Sequence, residues 1–333
     1  MSRYFCYYKV MKAAVNDTYG PPSTIQIRDI EKPVPGLSEV LVKVHFSSVN
    51  RTDMGFLLGK PWVTRLFTGV LKPKYKTVGC ELSGVVAEVG AQVSRFKPGD
   101  KVFVFDDKDF GGYAEYKVIH EDKMIEKIPD KISFEQAAVA LEGAHYALFY
   151  IYKIPKSKKT KIFVNGATGA IGSAGVQLLK AAGYYVEASC TTAQVQTIKN
   201  LGVDKVIDWQ KQDIAKVASR CDVYFDAVGK STFKEARKIL KPGGLYMSSE
   251  LGPYGQNPIW AIFNPMQKIV TKRHIKFPIP TTNKREAQII RQHLEDGTFL
   301  PLIDKVYDLK DISKAFEYVE SGQKVGNVLI KIV

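Results

Sequence analysis

The segment from Val164 to Gly172 constrains this chain more than any other. A short apolar run, residues 161–164, leads into Asn165, Gly166, Ala167, Thr168, Gly169, Ala170, Ile171 and Gly172. Beyond it, Ile171, Ala174, Leu178 and Ala182 are spaced to share one face of a helix over 170–182. A strand turning through glycines into a helix brings backbone N–H groups and the positive end of a helix dipole to one point, which suits an anion such as a pyrophosphate. Gly166 allows the tight turn, Gly169 lets the backbone approach the phosphates, and Gly172 lets the helix pack on the strand. The spacing is G-x-x-G-x-x-G rather than G-x-G-x-x-G, and a ligand-free turn can have the same composition. The residues downstream decide between the two.

Beyond residue 182 the chain alternates strand and helix. Strands are expected at 185–189, 205–208, 221–228 and 245–249, with helices around 195–201 and over 232–240. Such a series predicts right-handed βαβ units and a Rossmann-type, doubly wound parallel sheet that binds a dinucleotide. Residues before about 125 read differently. Short β-type runs at 11–15, 39–46, 83–89, 101–105 and 113–118 are separated by Pro33, Pro35, Gly36, Gly90, Pro98 and Gly99, which predicts an antiparallel barrel-like domain. A last helix near 284–294 precedes a β-type tail over 325–332 that is expected to rejoin the first domain. The expected division is 1–125, 126–300 and 301–333.

The tip of the second strand bears on the choice of nucleotide. An NAD site usually places Asp or Glu there for the ribose 2′-hydroxyl. This tip reads Ala188, Ser189, Cys190, Thr191, Thr192, with no acid. Hydroxyls of Thr191 and Thr192 suit a 2′-phosphate, so NADPH is expected over NADH, although either threonine also suits a helix N-cap. No Lys or Arg appears between that tip and Lys199.

Composition closes off other classes. The 333 residues are 45% hydrophobic and 25% charged, a globular balance that excludes disorder and coiled coil. No apolar run reaches the about 18 residues of a membrane span, and the nearest, over 137–152, is broken by Glu142 and His145. No signal peptide is read at the N-terminus, and Cys6, Cys80, Cys190 and Cys221 lie too far apart for a C-x-x-C site, so a soluble, cytoplasmic protein without a membrane partner is expected. Lys and Arg exceed Asp and Glu by 48 to 34, a net charge of +14. The surplus falls in loop-like runs over 72–76 and 153–159, with no basic helix or aromatic RNA-binding strand, so it predicts attraction of an anionic ligand rather than a nucleic-acid partner.

Further segments carry a family resemblance. They are residues 48–53 (SVNRTD), 79–86 (GCELSGVV), 96–102 (FKPGDKV), 111–116 (GGYAEY), 165–172, Leu201 and Gly202 with 206–208 (VID), and 225–229 (FDAVG). Together they resemble the medium-chain dehydrogenase/reductase superfamily, and within it the zinc-independent quinone oxidoreductase, or zeta-crystallin-like, branch; the ten residues before Met11 lie outside the pattern. The resemblance implies a GroES-like barrel beside the Rossmann half and hydride transfer from NAD(P)H to a quinone or α,β-unsaturated carbonyl. It also implies assembly as a homodimer or larger oligomer.

Site residues follow from that resemblance. The nicotinamide is expected near Asn50, His145 and the tail segment Gly326, Asn327 and Val328. Asn50 matches the branch's cleft asparagine and is a candidate for orienting nicotinamide or substrate; a turn-forming Asn is the alternative. His145 stands where relatives commonly have Thr, and is read either as a donor to carboxamide or enolate or as a satisfied histidine at a helix start. Val228, Gly229 and Leu251 fall in segments that line the dinucleotide, and Ala193 replaces an Arg common in close relatives. Zinc-dependent relatives carry Cys at the position of Asn50 and His at that of Cys80, so no metal is expected, a convergence of Cys80, Glu81, Glu142 and His145 being the competing arrangement. Pocket shape is assigned to the loops 55–76 and 251–266. The readings weighed against the reductase are an alcohol/aldehyde dehydrogenase and a non-catalytic nucleotide- or RNA-binding protein.

Overall fold

A computed structural model describes residues 10–155, 157 and 159–333. Cys6 and all but Val10 of the N-terminal extension lie outside the described residues, as do Lys156 and Lys158 of the basic run. The chain forms two compact units. One takes the chain up to Leu141 with Thr282–Glu295 and Ile303–Val333; the other takes Glu142–Thr281 and Asp296–Leu302.

The first unit is the antiparallel one. Its strands are β1 (Val10–Val15), β2 (Gln26–Glu31), β3 (Glu39–Val49), β4 (Glu81–Val89), β5 (Lys101–Phe105), β6 (Tyr116–His120) and β7 (Met124–Lys127). The long β3 is the hub, pairing antiparallel with β4 and β6. Its Val40, Val42 and Val44 point into a core with Leu82, Val86, Val102, Val104, Ile119 and Ile125. Gly84 on β4 is required by close approach, since a Cβ there would lie 2.0 Å from the carbonyl oxygen of Lys43.

The second unit carries β8 (Lys161–Asn165), β9 (Tyr185–Cys190), β10 (Lys205–Asp208), β11 (Cys221–Asp226), β12 (Leu240–Ser248) and β13 (His274–Lys276). All pair parallel in the order β10-β9-β8-β11-β12-β13. The order reverses direction between β8 and β11, and in such sheets ligands bind at the carboxyl ends of the strands flanking that point. The chain then returns to the first unit. β14 (Ile303–Asp308) pairs parallel with β15 (Asn327–Lys331), and β15 joins β3 antiparallel, Val328 opposite Val49. A second core of Val49, Met54, Leu57, Tyr113, Phe316, Val328 and Ile330 ties the Arg51–Leu58 and Ile312–Glu320 helices to this seam.

Several local expectations shift. The helix expected over 232–240 is a single turn, Phe233–Ala236, capped by the Thr232 hydroxyl on Glu235 N–H, because the chain is drawn into β12 from Leu240 beside Cys221. The strand expected over 113–118 starts only at Tyr116, since Tyr113 N–H donates to Val78 and its hydroxyl to the Ser48 carbonyl. The helix Lys284–Glu295 packs on β7, with Lys284 paired to Asp122 at 2.7 Å, and so belongs with the barrel strands. Among the described residues no helix is long and apolar enough to cross a membrane.

Candidate functional site

The glycine turn at the end of β8 separates into two kinds of position. Gly166 has φ +80°, a left-handed backbone, and a Cβ on it would stand 2.7 Å from Cβ of Val228. At Gly172 a Cβ would lie 2.1 Å from the Gly166 carbonyl oxygen, so the Ala170–Ala181 helix closes on the turn only with glycine there. Gly169 is different. Its φ is −77°, and a Cβ would meet nothing closer than the Gly166 oxygen at 3.8 Å. The protein's own packing makes no demand for glycine at that position, yet the backbone is left bare there. Gly169 is also the helix N-cap and brings no capping side chain, which leaves the first-turn amides of Ala170, Ile171 and Gly172 uncapped. Ala167 is buried beneath the turn, while Thr168 and Gly169 are half-buried. A bare, uncapped helix start at the sheet's reversal point fits the pyrophosphate of a dinucleotide.

A buried polar chain that sequence reading did not single out fixes the strand ends around this turn. Ser189 on β9 donates to Asn165 Oδ1 at 2.9 Å, and Asn165 Nδ2 donates to Asp226 Oδ1 on β11 at 3.0 Å. The Tyr246 hydroxyl on β12 donates to Asp226 Oδ2 at 2.9 Å. Four adjacent strands are thereby pinned at their carboxyl ends. Burial pushes the Asp226 carboxyl above the ordinary carboxylate range, against hydrogen bonds from Asn165, Tyr246 and the amides of Val228 and Gly229. Those two amide contacts hold the turn after β11 in place, and Gly229, at φ +65°, leaves room for Glu250. Leu251, on the loop after β12, is exposed, and its carbonyl accepts from Asn257 N–H.

At the tip of β9, Thr191 caps the short turn Thr192–Gln194, so its N-cap reading is realised. Thr192 is exposed and donates to Asp208 Oδ2 at 2.6 Å. The acid missing from the β9 tip is thus supplied by β10, whose Asp208 pairs with Cys190. The tip itself carries no acid, as its residues read; parallel pairing sets the acid at the end of the next strand beside it. Burial and the charge of Asp208 push the Cys190 thiol up to about 11.

On the barrel unit, Asn50 directly follows β3 and is the N-cap of the Arg51–Leu58 helix; it is buried. Its backbone N–H donates to Asp53 Oδ2 at 2.9 Å, its side-chain NH2 to Ser48 Oγ at 3.3 Å, and its side-chain carbonyl accepts from Lys324 Nζ at 3.0 Å. Asp53 is fully buried and also takes the Cys80 N–H at 3.1 Å; burial raises its carboxyl above the usual range against these donors. Asn327 is buried at the start of β15, one residue beyond the Val328–Val49 pair, so the antiparallel register runs it alongside Asn50. Lys324 was missed in the sequence because a lysine three residues before a strand has no pattern of its own.

His145 belongs to the other unit, buried within the Leu141–Ile151 helix. That helix abuts the glycine turn: a Cβ on Gly143 would lie 2.7 Å from the Ala170 carbonyl oxygen. Asn50 and Asn327 therefore lie on one unit, and His145, the glycine turn, Thr191, Thr192, Val228, Gly229 and Leu251 on the other. Among the described residues, no three His, Cys, Asp or Glu side chains gather to hold a metal ion, Cys80, Glu81, Glu142 and His145 included.

The sequence and fold were compared with known proteins. Residues 36–130 match the alcohol dehydrogenase GroES-like domain family, and residues 201–330 the zinc-binding dehydrogenase family. A quinone oxidoreductase of Pseudomonas aeruginosa is 30% identical over 240 residues, 69% of this chain and 70% of that protein. An NADPH-dependent alkenal/one oxidoreductase of Arabidopsis thaliana, chloroplastic, is 28% identical over 337 residues, 97% of this chain and 80% of that one. The solved structure of the quinone oxidoreductase from Coxiella burnetii superposes with a TM-score of 0.85 at 24% identity, covering 98% of this chain and 100% of the other. With a GroES-like barrel, a six-stranded parallel sheet of dinucleotide-binding order and these relatives, the chain belongs to the medium-chain dehydrogenase/reductase superfamily, in its quinone oxidoreductase-like branch.

Proposed function

We propose that this protein reduces quinones or α,β-unsaturated carbonyl compounds with NADPH, without a bound metal ion. The observation that carries the reading is the contrast between Gly172, closed by the protein's own backbone, and Gly169, bare and uncapped at the sheet's reversal point. When bound, the dihydronicotinamide supplies a hydride to an electron-poor carbon, and negative charge then develops on the acceptor oxygen. The residues proposed to meet that charge are on the barrel unit. Asn50 presents a side chain oriented by Ser48 and Lys324, and the Lys324 ammonium adds positive potential at the same place. His145, buried in the helix that abuts the glycine turn, is proposed to position the nicotinamide carboxamide or to give the proton that completes the reduction after the hydride.

The family description speaks of zinc, and the residues here fit zinc poorly. An amide stands at the position of one cysteine ligand, and the Lys324 ammonium lies 3.0 Å from that amide oxygen, so a cation brought there would be repelled. Nothing in the site favours the alcohol dehydrogenase reading. The NADPH preference is supported by the Arabidopsis relative's name; the Asp208 carboxylate works against it, partly occupied by the Thr192 hydroxyl and Gln210 N–H. The test is transfer of label from NADPH dideuterated at C4 to an enone, read by mass spectrometry, beside NADPH oxidation by a quinone, whose hydroxyl deuterium would exchange into water. Deuterium on the β-carbon of the reduced enone is expected, and loss of that product in Asn50→Ala; absence of both enone labelling and quinone-dependent NADPH oxidation would overturn the reading.

A further inference from the structure

The helices Gln256–Ile262 and Asn264–Thr271 lie in the second unit; Trp260 and Ala261 of the first pack against the core, but most of the other apolar side chains of the pair are turned out. Asn257 and Gln267 are turned inward and buried, at 1% and 9% exposure. Ile262, Ile269 and Val270 face outward at 75%, 81% and 72%, with Phe263 and Met266 half open beside them. Inside, Asn257 Nδ2 donates to the Glu250 carbonyl at 2.8 Å, and Asn257 Oδ1 lies 3.3 Å from the Tyr246 hydroxyl, whose proton goes to Asp226. The outward face is apolar with no covering element among the described residues, and patches of that kind mark interaction sites.

Its border is strongly basic. Lys268 and Lys272 are exposed on or just after the second helix, and Arg273 comes directly after. Arg273 is tied to the carbonyls of Leu240 and Thr271, and Arg220 to that of Lys238. The carbonyls that Arg220 and Arg273 take are two residues apart in the chain, directly after Arg237, and burial followed by the charges of Arg237 and Arg220 depresses the Arg273 guanidinium. Among the described residues none of the three pairs with a carboxylate; the neighbouring Asp222 is taken by Lys241 at 2.8 Å.

We propose that this face, Ile262, Met266, Ile269 and Val270 bordered by Lys268, Lys272, Arg220, Arg237 and Arg273, docks on an anionic phospholipid surface. Apolar side chains of a surface-lying helix enter the headgroup boundary while basic residues meet lipid phosphates, and the arrangement needs no membrane span. A second copy of the chain is the poorer occupant. In a two-fold contact each residue meets another residue of the same patch, and none of Ile262, Met266, Ile269 and Val270 brings a carboxylate to offset the basic border. The chain's +14 charge draws it toward the same surface. If the reductase reading holds, on which this last consequence alone rests, docking brings the enzyme to quinones and long-chain enones dissolved in the bilayer.

The test is co-sedimentation of the full chain with phosphatidylcholine vesicles, alone or with about one third phosphatidylglycerol. Sedimentation with the anionic vesicles at low salt is expected, released by about 0.5 M salt, and weakened at least about tenfold in Ile269→Asp. Arg220→Gln with Arg237→Gln is a second variant, expected to bind weakly and with reduced salt dependence. Both variants should keep the melting temperature and NADPH-dependent turnover of a water-soluble quinone. Failure of the parent to sediment, or unchanged sedimentation of both variants, would overturn the proposal. So would light scattering that shows a dimer made monomeric by Ile269→Asp without vesicle binding. Vesicle binding lost on substitution but with no turnover in any form would leave the docking intact and fail the reductase reading instead.

Discussion

Lys324 Nζ donates to the side-chain carbonyl of Asn50 at 3.0 Å and to the carbonyl of Gly326 at 2.9 Å. A lysine from the last segment of the chain thereby orients an amide that directly follows β3, across a seam made when β15 returns to the barrel. With its oxygen engaged by the ammonium and its NH2 by Ser48, the amide is held in one orientation rather than free to flip.

If that orientation serves the reaction, Lys324→Met lowers kcat/KM by about ten- to a hundredfold, the worth of one hydrogen bond to a charged group. Because Lys324 is only half-buried, the melting temperature should move little. Lys324→Arg keeps the charge and should recover part of the rate. Equal loss of stability and activity in Lys324→Met would reduce the contact to packing.

Gly169 and Gly172, in the turn proposed to hold the phosphates, predict opposite behaviour. Gly172→Ala drives a Cβ against backbone at 2.1 Å and should cost stability on the order of 1–3 kcal/mol, together with nucleotide binding. Gly169→Ala meets open space, so the melting temperature should hold while nucleotide affinity falls about tenfold or more. Paired thermal melts and fluorescence titrations of the two variants separate these outcomes.

Asp208 sets a negative charge beside the tip of β9. Asp208→Asn should therefore raise the preference for NADPH over NADH by about threefold or more, on the scale of a partly screened charge. Binding titrations with both nucleotides measure the ratio, and an unchanged ratio would place the 2′ position elsewhere.

A buried ion pair gives a pH signature in the barrel unit. Lys117 Nζ lies 3.0 Å from Asp106 Oδ2, both side chains nearly fully buried. Burial alone would raise the Asp106 carboxyl, but the charges of Lys117 and Lys123 outweigh it and hold the group below the ordinary carboxylate range. A carboxyl depressed in the folded state adds stability above its unfolded value, and that stability is lost as pH falls through the folded one. Asp106→Asn should cost about 3–5 kcal/mol at neutral pH by leaving Lys117 unpaired. The difference from the parent should shrink below about pH 4 in urea unfolding.

The sheet was legible where residue pattern and tertiary demand coincide. Residues 101–105 and 205–208 form strands with the bounds their apolar runs suggested, and the glycine spacing marked the turn correctly because hard-sphere contact leaves little choice at Gly166 and Gly172. What the sequence concealed depends on neighbours brought from afar. Asp226 and Asn165 lie 61 residues apart and meet only because β8 and β11 are adjacent. Asp208 reaches the β9 tip through strand pairing, and Lys324 reaches Asn50 from 274 residues away. The helices at Gln256–Ile262 and Asn264–Thr271 escaped pattern reading for another reason. Apart from Trp260 and Ala261, most of their apolar residues face outward, and each holds a proline, Pro258 and Pro265, so periodicity pointed to no core.

A nucleotide site that serves metal-independent hydride transfer is open to a single measurement: the protein is titrated with NADPH and NADH, and cofactor oxidation by a quinone and an enone is then followed with and without chelator. Saturable nucleotide binding and oxidation that the chelator leaves unchanged are expected. No binding of either nucleotide, or oxidation abolished by the chelator and restored by zinc, would contradict it.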